Sequence, residues 1–423
     1  MNGWTKFIGA LAMSTALTLS SGVVAQEAEL WHFFSSGSEA EGLDGLVAVT
    51  NGINADKPIT PRVFPGNILE MRRAIQTSLM GGNPPAAYGS GFGYELKTFA
   101  DGGHLRPLDD VWERIRGDEI FPDGVKRVTM VDGHPMGIPF DLSLINNIFY
   151  NVKLLEEHGV DVPTDWDSLV AACDTLRAAG VQPLANAGGP YWSMYNFYPA
   201  LISTAGVDGY YALADGSLAF DSPVFREALD LFRNTMVSCY ADNWSGKSWT
   251  QSGDDLVNGD VGMFMMGMWL GGYMRLAGFE PETEFDFVPA PGTEKLAIFQ
   301  MDLFAIPAGE GPATEAGVAF AEATASVEAQ AAFTVPKGSI APNLEVDSSI
   351  YDVVGEKAAT NFRNAEHVLP NLVFMLPTSL GTELGVQLER FAINPSAEVE
   401  GEMIATLEAL RAELLAEDAF VKW

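Results

Sequence analysis

The side chains able to do chemistry are scattered, and few sit at the spacings that chemistry requires. The five histidines, His32, His104, His134, His158 and His367, show no metal-ligand spacing, and there is no C-x-x-C. Neither a metal site nor a cofactor is expected. The G-x-S-x-G elbow, the G-x-x-x-x-G-K-[ST] phosphate loop and the H-E-x-x-H helix are all absent. "GSGFG" at 89–93 lacks the G-x-G-x-x-G spacing of a nucleotide cradle. As a loop at a strand's carboxyl end, it would instead let backbone approach a ligand closely. Any two of the 56 acids could converge as a glycosidase pair does, but no local spacing singles out two of them.

Aromatic residues carry a clearer signal. Phe33 and Phe34 close "AELWHFF", and "GGPYWSMYNFY" places Tyr191, Trp192, Tyr195 and Tyr198 after a glycine turn. Trp244 and Trp249 come next, and Trp269 closes the Met-rich run "GDVGMFMMGMW". Several of these rings fall in glycine-flanked loops or just past strands, where a core residue is less expected. Planar rings stack on the apolar C–H faces of sugars, whose hydroxyls then need only a few oriented acids, amides or lysines.

The elements that must hold these rings alternate short apolar runs with helical patterns, which argues for an α/β chain. "AELWHFF" reads as an opening strand. "NILEMRRAIQTSLMGG" puts Ile68, Met71, Ile75 and Leu79 on one helical face and stops at a double glycine. "NPPAAYGSGFG" gives a turn, a short strand and a loop. A β-rich run leads through "PMGIPFDLSLINNIFYN" to Asn151. "PTDWDSLVAACDTLRAAG" predicts a helix with Thr164 as N-cap and Gly180 past its end. "PVFREALDLFRNTM" predicts another, with Phe225, Leu229, Phe232 and Met236 on one stripe. "FDFVPAPG" and "FQMDLFAIP" read as strands, and helical patterns fill most of the remainder.

The opening residues have the layout of a secretory signal: Lys6, an apolar stretch from Phe7 to Leu19, and small residues before a cut after Ala25. That stretch falls short of the ~20 residues of a spanning helix, so an exported, soluble, periplasmic chain is expected. The chain beyond Ala25 is long enough for two separately packed lobes. A net charge of −32 repels nucleic acid and anionic lipid. Cys173 and Cys239 are the only cysteines. They are free to pair in an oxidising compartment, but Cys173 also sits on the apolar stripe of Trp166, Leu169, Val170 and Leu176, as a buried thiol would.

With these landmarks in order, the chain resembles the family 1 extracellular solute-binding proteins of bacterial ABC sugar importers, and among them the glucose-type carbohydrate-binding proteins. The resemblance runs through "WHFFSSGSE", "GGNPPAAYGSG", "GIPFDLSLINNIFYN", "LRAAGVQPLANAGGPYW", "NGDVGMFMMGMW", "APGTEKLAIFQMD" and "VPKGSIAPN". It implies an α/β, two-lobed periplasmic binding protein fold, with the ligand cleft between lobes joined by a multi-strand hinge. Lobe 1 would be 26–141 plus 290–327 and lobe 2 would be 142–289 plus 328–423. The crossings would fall near 140–143, 288–290 and 326–328.

The same resemblance implies the ligand contacts. A tryptophan pair in the glucose-type proteins matches Phe33 and Phe34 here, and the acid after it matches Glu39. The tryptophan of "GMW" matches Trp269, an aspartate matches Asp302 and a lysine matches Lys337. Tyr191, Trp192 and Trp249 fall in further contact regions. Two polar groups depart from the pattern: a lysine is replaced by Ser90 and a late histidine by Phe374. A ligand hydroxyl facing Phe374 would lose a partner, at a cost on the order of 1–3 kcal/mol. The pocket is therefore not that of a strict glucose binder. The expected function is capture of a monosaccharide, small oligosaccharide or sugar derivative by a monomer, and its delivery to an ABC permease, with no bond made or broken. The rivals are a receptor for a polyol, an anionic sugar derivative or another compatible solute, and an exported carbohydrate-active enzyme using Asp302 and Glu39.

Overall fold

The computed structural model describes residues 28–35, 37–64 and 68–423, so the signal reading for 1–25 lies outside the described residues. Twelve strands are present among them: β1 (Glu29–His32), β2 (Thr60–Val63), β3 (Ala87–Ser90), β4 (Met130–Val131), β5 (His134–Pro135), β6 (Ile138–Leu144), β7 (Asn147–Asn151), β8 (Gln182–Ala185), β9 (Val261–Met266), β10 (Phe285–Pro289), β11 (Leu296–Ala305) and β12 (His367–Pro370). The larger sheet runs β12-β11-β3-β1-β2, with β6 also paired to β11. The smaller runs β10-β7-β9-β8, and β4 with β5 forms a separate hairpin. Helices cover both sheets, as expected of an α/β chain.

β11 organises the larger sheet. It pairs parallel to β12 through Leu296–Phe299 and antiparallel to β3 through Leu303–Ala305. It also pairs antiparallel to β6 through Phe299–Phe304. Both β6 and β11 are almost wholly buried, which explains their near-continuous apolar sequences. Phe140 stacks on Phe304 with centroids 4.1 Å apart, and Phe34 and Phe333 meet Phe140 edge-on. The smaller sheet packs Phe149 against Phe285 and Phe287.

The chain passes between the sheets at Ile145–Asn146, joining β6 to β7, and at 290–295, joining β10 to β11. Buried Asn146 ties the two passages together. Its Nδ2 donates to Thr293 Oγ1 at 3.0 Å and to the Leu296 carbonyl at 3.2 Å, and its Oδ1 accepts from Ile298 N at 3.1 Å. Ile340 exchanges backbone hydrogen bonds with Leu142 beside them. The segment 326–328 is the N-cap and first turn of the helix Val327–Lys337, which follows the helix Pro312–Thr324 and packs along Gly37–Ile53. β12, in the range the sequence assigns to the second lobe, hydrogen-bonds into the larger sheet.

Two of the helices depart in local detail from the sequence expectations, and the pairing of the cysteines, open in the sequence, is decided here. The helix Trp166–Ala178 is capped by Asp165 rather than Thr164. Asp165 stands directly before the first helical residue, accepts from Ser168 N at 2.7 Å, and its own N–H donates back to Ser168 Oγ at 2.9 Å. The stripe ending at Met236 is formed by a helix, Pro223–Phe232, that widens into a π turn at Arg233–Val237. Cys173 is buried, as its stripe suggests, but it is not a free thiol: it is bonded to Cys239, 66 residues away. Among the described residues no helix is long and apolar enough to cross a membrane.

Candidate functional site

Antiparallel pairing sets Asp302 of β11 directly opposite Asp141 of β6. The register shifts at this point, because Leu303 pairs with Pro139 and leaves Phe140 as an extra residue on β6. Such a bulge re-aims neighbouring side chains. Two like charges facing each other across a ladder repel. The conflict is resolved by Lys337, at the end of the helix Val327–Lys337, whose Nζ donates to Asp302 Oδ2 at 2.9 Å and to Asp141 Oδ2. All three side chains are buried. The ammonium also lies 5.2 Å from the centroids of Phe34 and Phe333.

Electrostatics follow from one cation serving two acids. Burial pushes the Asp141 carboxyl up to about 7, Lys337 opposes that shift, and the neighbouring Asp302 adds to it. Burial would lower the Lys337 ammonium, but Asp141 and Asp302, with Glu39 behind them, carry it above the ordinary lysine value. Glu39 is half-buried in the first turn of Gly37–Ile53, where an acid also suits the helix dipole.

A second group gathers around Trp269. The sequence places this ring at the end of a strand; the strand stops at Met266, and Trp269 begins the helix Trp269–Leu276. Gly267 makes room for it, since a Cβ there would lie 2.2 Å from the indole. The Trp192 ring lies 6.3 Å away at 56°. "PYWSMYNFY" is likewise helix rather than loop: Pro190 occupies the first turn of Pro190–Ala214, where its missing N–H costs nothing. Helical spacing then sets Tyr195 edge-on to Trp192 at 5.7 Å.

Asn371 joins this helix to the larger sheet. Its Nδ2 donates to Tyr195 Oη at 3.1 Å and to Gln300 Oε1 at 2.9 Å, and its Oδ1 accepts from Tyr198 Oη at 2.7 Å. Asp141, Gln300, Tyr195 and Asn371 are absent from the sequence-derived site. Gln300 was within reach, because it stands two residues before Asp302 and alternation puts both on one face of β11. Asn371 and Asp141 had no such signal, since their partners are distant in sequence.

A third group lies beside the second. Arg72 donates to Tyr191 Oη at 3.0 Å, pairs with Glu95, and stands 5.5 Å over the Phe374 ring. Phe374 packs on Phe92 at 4.8 Å. Burial raises the Tyr195 hydroxyl pKa most, Tyr191 and Asp302 add to that, and Arg72 opposes it, so one tyrosine feels all three groups. Ser90 is fully buried at the end of β3, opposite Leu303 and hence one residue from Asp302 along β11. Half-buried Phe33 touches Phe34, centroids 4.4 Å apart. Trp249 reaches the Trp269 helix through Tyr273, centroids 5.3 Å apart. A cavity of about 250 Å³ opens among Arg72, Glu95, Tyr191 and Phe374 and is walled by both halves of the chain. A larger hollow beside Trp31 is lined by residues 29–85 alone, and another beside Ile53 is lined by Ile115, Ala323, Asn343 and Glu345 among others. Among the described residues no group of three or more His, Cys, Asp or Glu is placed to hold a metal ion.

The chain as a whole resembles known proteins. A family model described as bacterial extracellular solute-binding protein matches residues 49–359. A probable sugar-binding periplasmic protein of Brucella melitensis is 28% identical over 93% of this chain and 90% of its own length. A xylose/arabinose-binding protein of Haloferax volcanii is 26% identical over 73% of this chain and 69% of its own. The solved structure of the bacterial solute receptor AcbH, described as exclusively preferring β-D-galactopyranose, superimposes with a TM-score of 0.82 at 19% identity. That match covers 92% of this chain and 99% of the receptor, and it establishes the two-lobed fold.

Proposed function

The chain belongs to the bacterial extracellular solute-binding proteins, and from that premise we propose that it is the carbohydrate receptor of an ABC importer. It captures a sugar between its lobes and hands it unchanged to the membrane permease. The observation that carries this reading is the meeting of the Trp192 and Trp269 rings with the Gln300–Asp302 face of β11 through Tyr195 and Asn371. Rings on one side and fixed hydrogen-bonding groups on the other suit a hydroxylated ring.

In this reading Trp269 and Trp192 stack on the sugar, with Trp249 supporting them through Tyr273. Asp302 and Glu39 accept hydroxyl hydrogen bonds, while Ser90, paired with Leu303, faces away from the Gln300–Asp302 side of β11. Lys337 orients the two carboxylates more than it meets the ligand, since both of its contacts are already acids. Phe33, Phe34 and Phe374 shape the walls with Tyr191. A neutral ligand fits this site better than an anionic one, because its cations, buried Lys337 and half-buried Arg72, are each paired with carboxylates. Lobe 1 corresponds to 26–141 plus 290–327 and lobe 2 to 142–289 plus 328–423, with β12 lent back to the first sheet. The chain acts as a monomer in the periplasm after removal of residues 1–25, and it performs no catalysis.

A thermal-shift screen across monosaccharides, disaccharides, glycosides, sugar acids and polyols tests the proposal. A bound sugar raises the melting temperature by mass action. Recovery of the same sugar intact after long incubation supports a receptor, and release of a hydrolysis product overturns that reading.

A further inference from the structure

Beside the paired indoles lies a compartment that one sugar ring over Trp269 would leave unfilled. It has room for about eight waters at their liquid volume of ~30 Å³ each, within a cavity of about 250 Å³. Its floor is Phe374 and Val373, both buried, and one wall is the Arg72–Glu95 pair with Tyr191. Its rim is Gln76, Thr98, Thr378 and Thr382, all exposed, so its outer end is open.

Two features fix what this compartment can take. The Arg72 guanidinium is already bonded to the Glu95 carboxylate and to Tyr191 Oη, so it has no unmet demand for an anion. Phe374, packed on Phe92 and under Arg72, contributes apolar floor, and a rim of amide and hydroxyl side chains surrounds it. Gly91 keeps that ring in place, because a Cβ there would fall 2.3 Å from the Phe374 ring and 2.5 Å from Glu95 Oε2. Apolar floor and neutral polar rim repeat, in smaller form, what a sugar asks of the first site. Tyr191 lines this compartment and stands next to Trp192 in the same helical turn.

From this we infer that the ligand is a neutral glycoside of at least two parts, with one ring held at Trp192 and Trp269 and a second glycosyl or polyol unit held against Phe374 and Arg72. The inference rests on the carbohydrate-receptor reading and sharpens it. A free monosaccharide fills only the first compartment, and the open rim admits the outer end of a longer ligand.

Calorimetric titration of the whole protein tests it, using glucose, galactose and xylose beside their α- and β-linked disaccharides, with wild type and Thr382→Trp. Thr382 is an exposed rim residue, so a bulky ring there narrows the second compartment without disturbing the core. The expected result is a disaccharide bound about tenfold or more tighter than its parent monosaccharide, an advantage abolished in Thr382→Trp while monosaccharide binding is unchanged. A monosaccharide bound as tightly as every disaccharide, with Thr382→Trp without effect, overturns the two-part ligand and leaves the receptor reading intact. Failure of all carbohydrates to bind a folded protein overturns both.

Discussion

Asp141 and Asp302 face each other across the β6–β11 ladder, and the Lys337 ammonium lies between their carboxylates. A buried pair of like charges survives there because the cation arrives from a third element, the helix Val327–Lys337. The unequal consequences of deleting each member can be measured.

Lys337→Met removes the cation that two buried acids share. Loss of one partner from a buried ion pair costs about 3–5 kcal/mol, and a fall of that size is expected in ligand-free unfolding. Asp302→Asn leaves Lys337 with Asp141, so thermal melting without ligand should move far less while sugar affinity drops. If Asp302→Asn melts as early as Lys337→Met, Asp302 is a structural residue and not a ligand contact.

The same triad gives a pH signature. The Asp141 carboxyl is pushed up to about 7 by burial, above the 3.8 of an exposed aspartate, so between these values the folded protein binds the extra proton. This group's contribution to stability therefore improves as pH falls from about 7 towards 4, and is lost as pH rises through that window. Chemical denaturation of wild type and Asp141→Asn at pH 8 and pH 5 isolates the effect. Wild type should gain on Asp141→Asn at the lower pH, and an unchanged difference would contradict it.

Trp269→Ala should weaken sugar binding on the order of 30-fold, the scale of a truncated ring in a buried contact, and remove most of the ligand-induced change in tryptophan emission. Gly267→Ala tests the same ring without deleting it. The added methyl meets the indole, so binding should weaken although every tryptophan remains. Fluorescence titration reads both.

Cys173→Ser with Cys239→Ser opens a 66-residue loop, and chain entropy predicts a loss of about 4 kcal/mol. Neither cysteine belongs to the groups around the indoles, so sugar affinity in the surviving folded fraction should stay constant. Equal affinity with an earlier melt is the expected pattern in calorimetry.

Much of this molecule is legible in its linear order. The alternation of strands and helices is carried by local pattern, as "NIFYN" and "VGMFMM" form β7 and β9. Asp302, Lys337 and Trp269 are named from motifs, and each sits beside another residue named the same way or beside its support. Pairing at a distance escapes such reading. Nothing near Asp141 announces a lysine 196 positions later, and nothing near Cys173 announces Cys239. "GGPYW" misleads for a physical reason: glycine and proline mark turns, yet proline is equally at home in the first turn of a helix.

One extra residue in β6 has a further consequence. Phe140 has no opposite number on β11, and the pairs on either side of it, Asp302 with Asp141 and Leu303 with Pro139, close over it. Deleting Phe140 would restore an even count and leave Asp141 still opposite Asp302, but it would remove the ring that stacks on Phe304 and meets Phe34 and Phe333 edge-on. The unpaired residue is thus held by its packing and not by the ladder, and its loss should cost what loss of a buried phenyl ring costs, about 3–5 kcal/mol, with both acids still face to face.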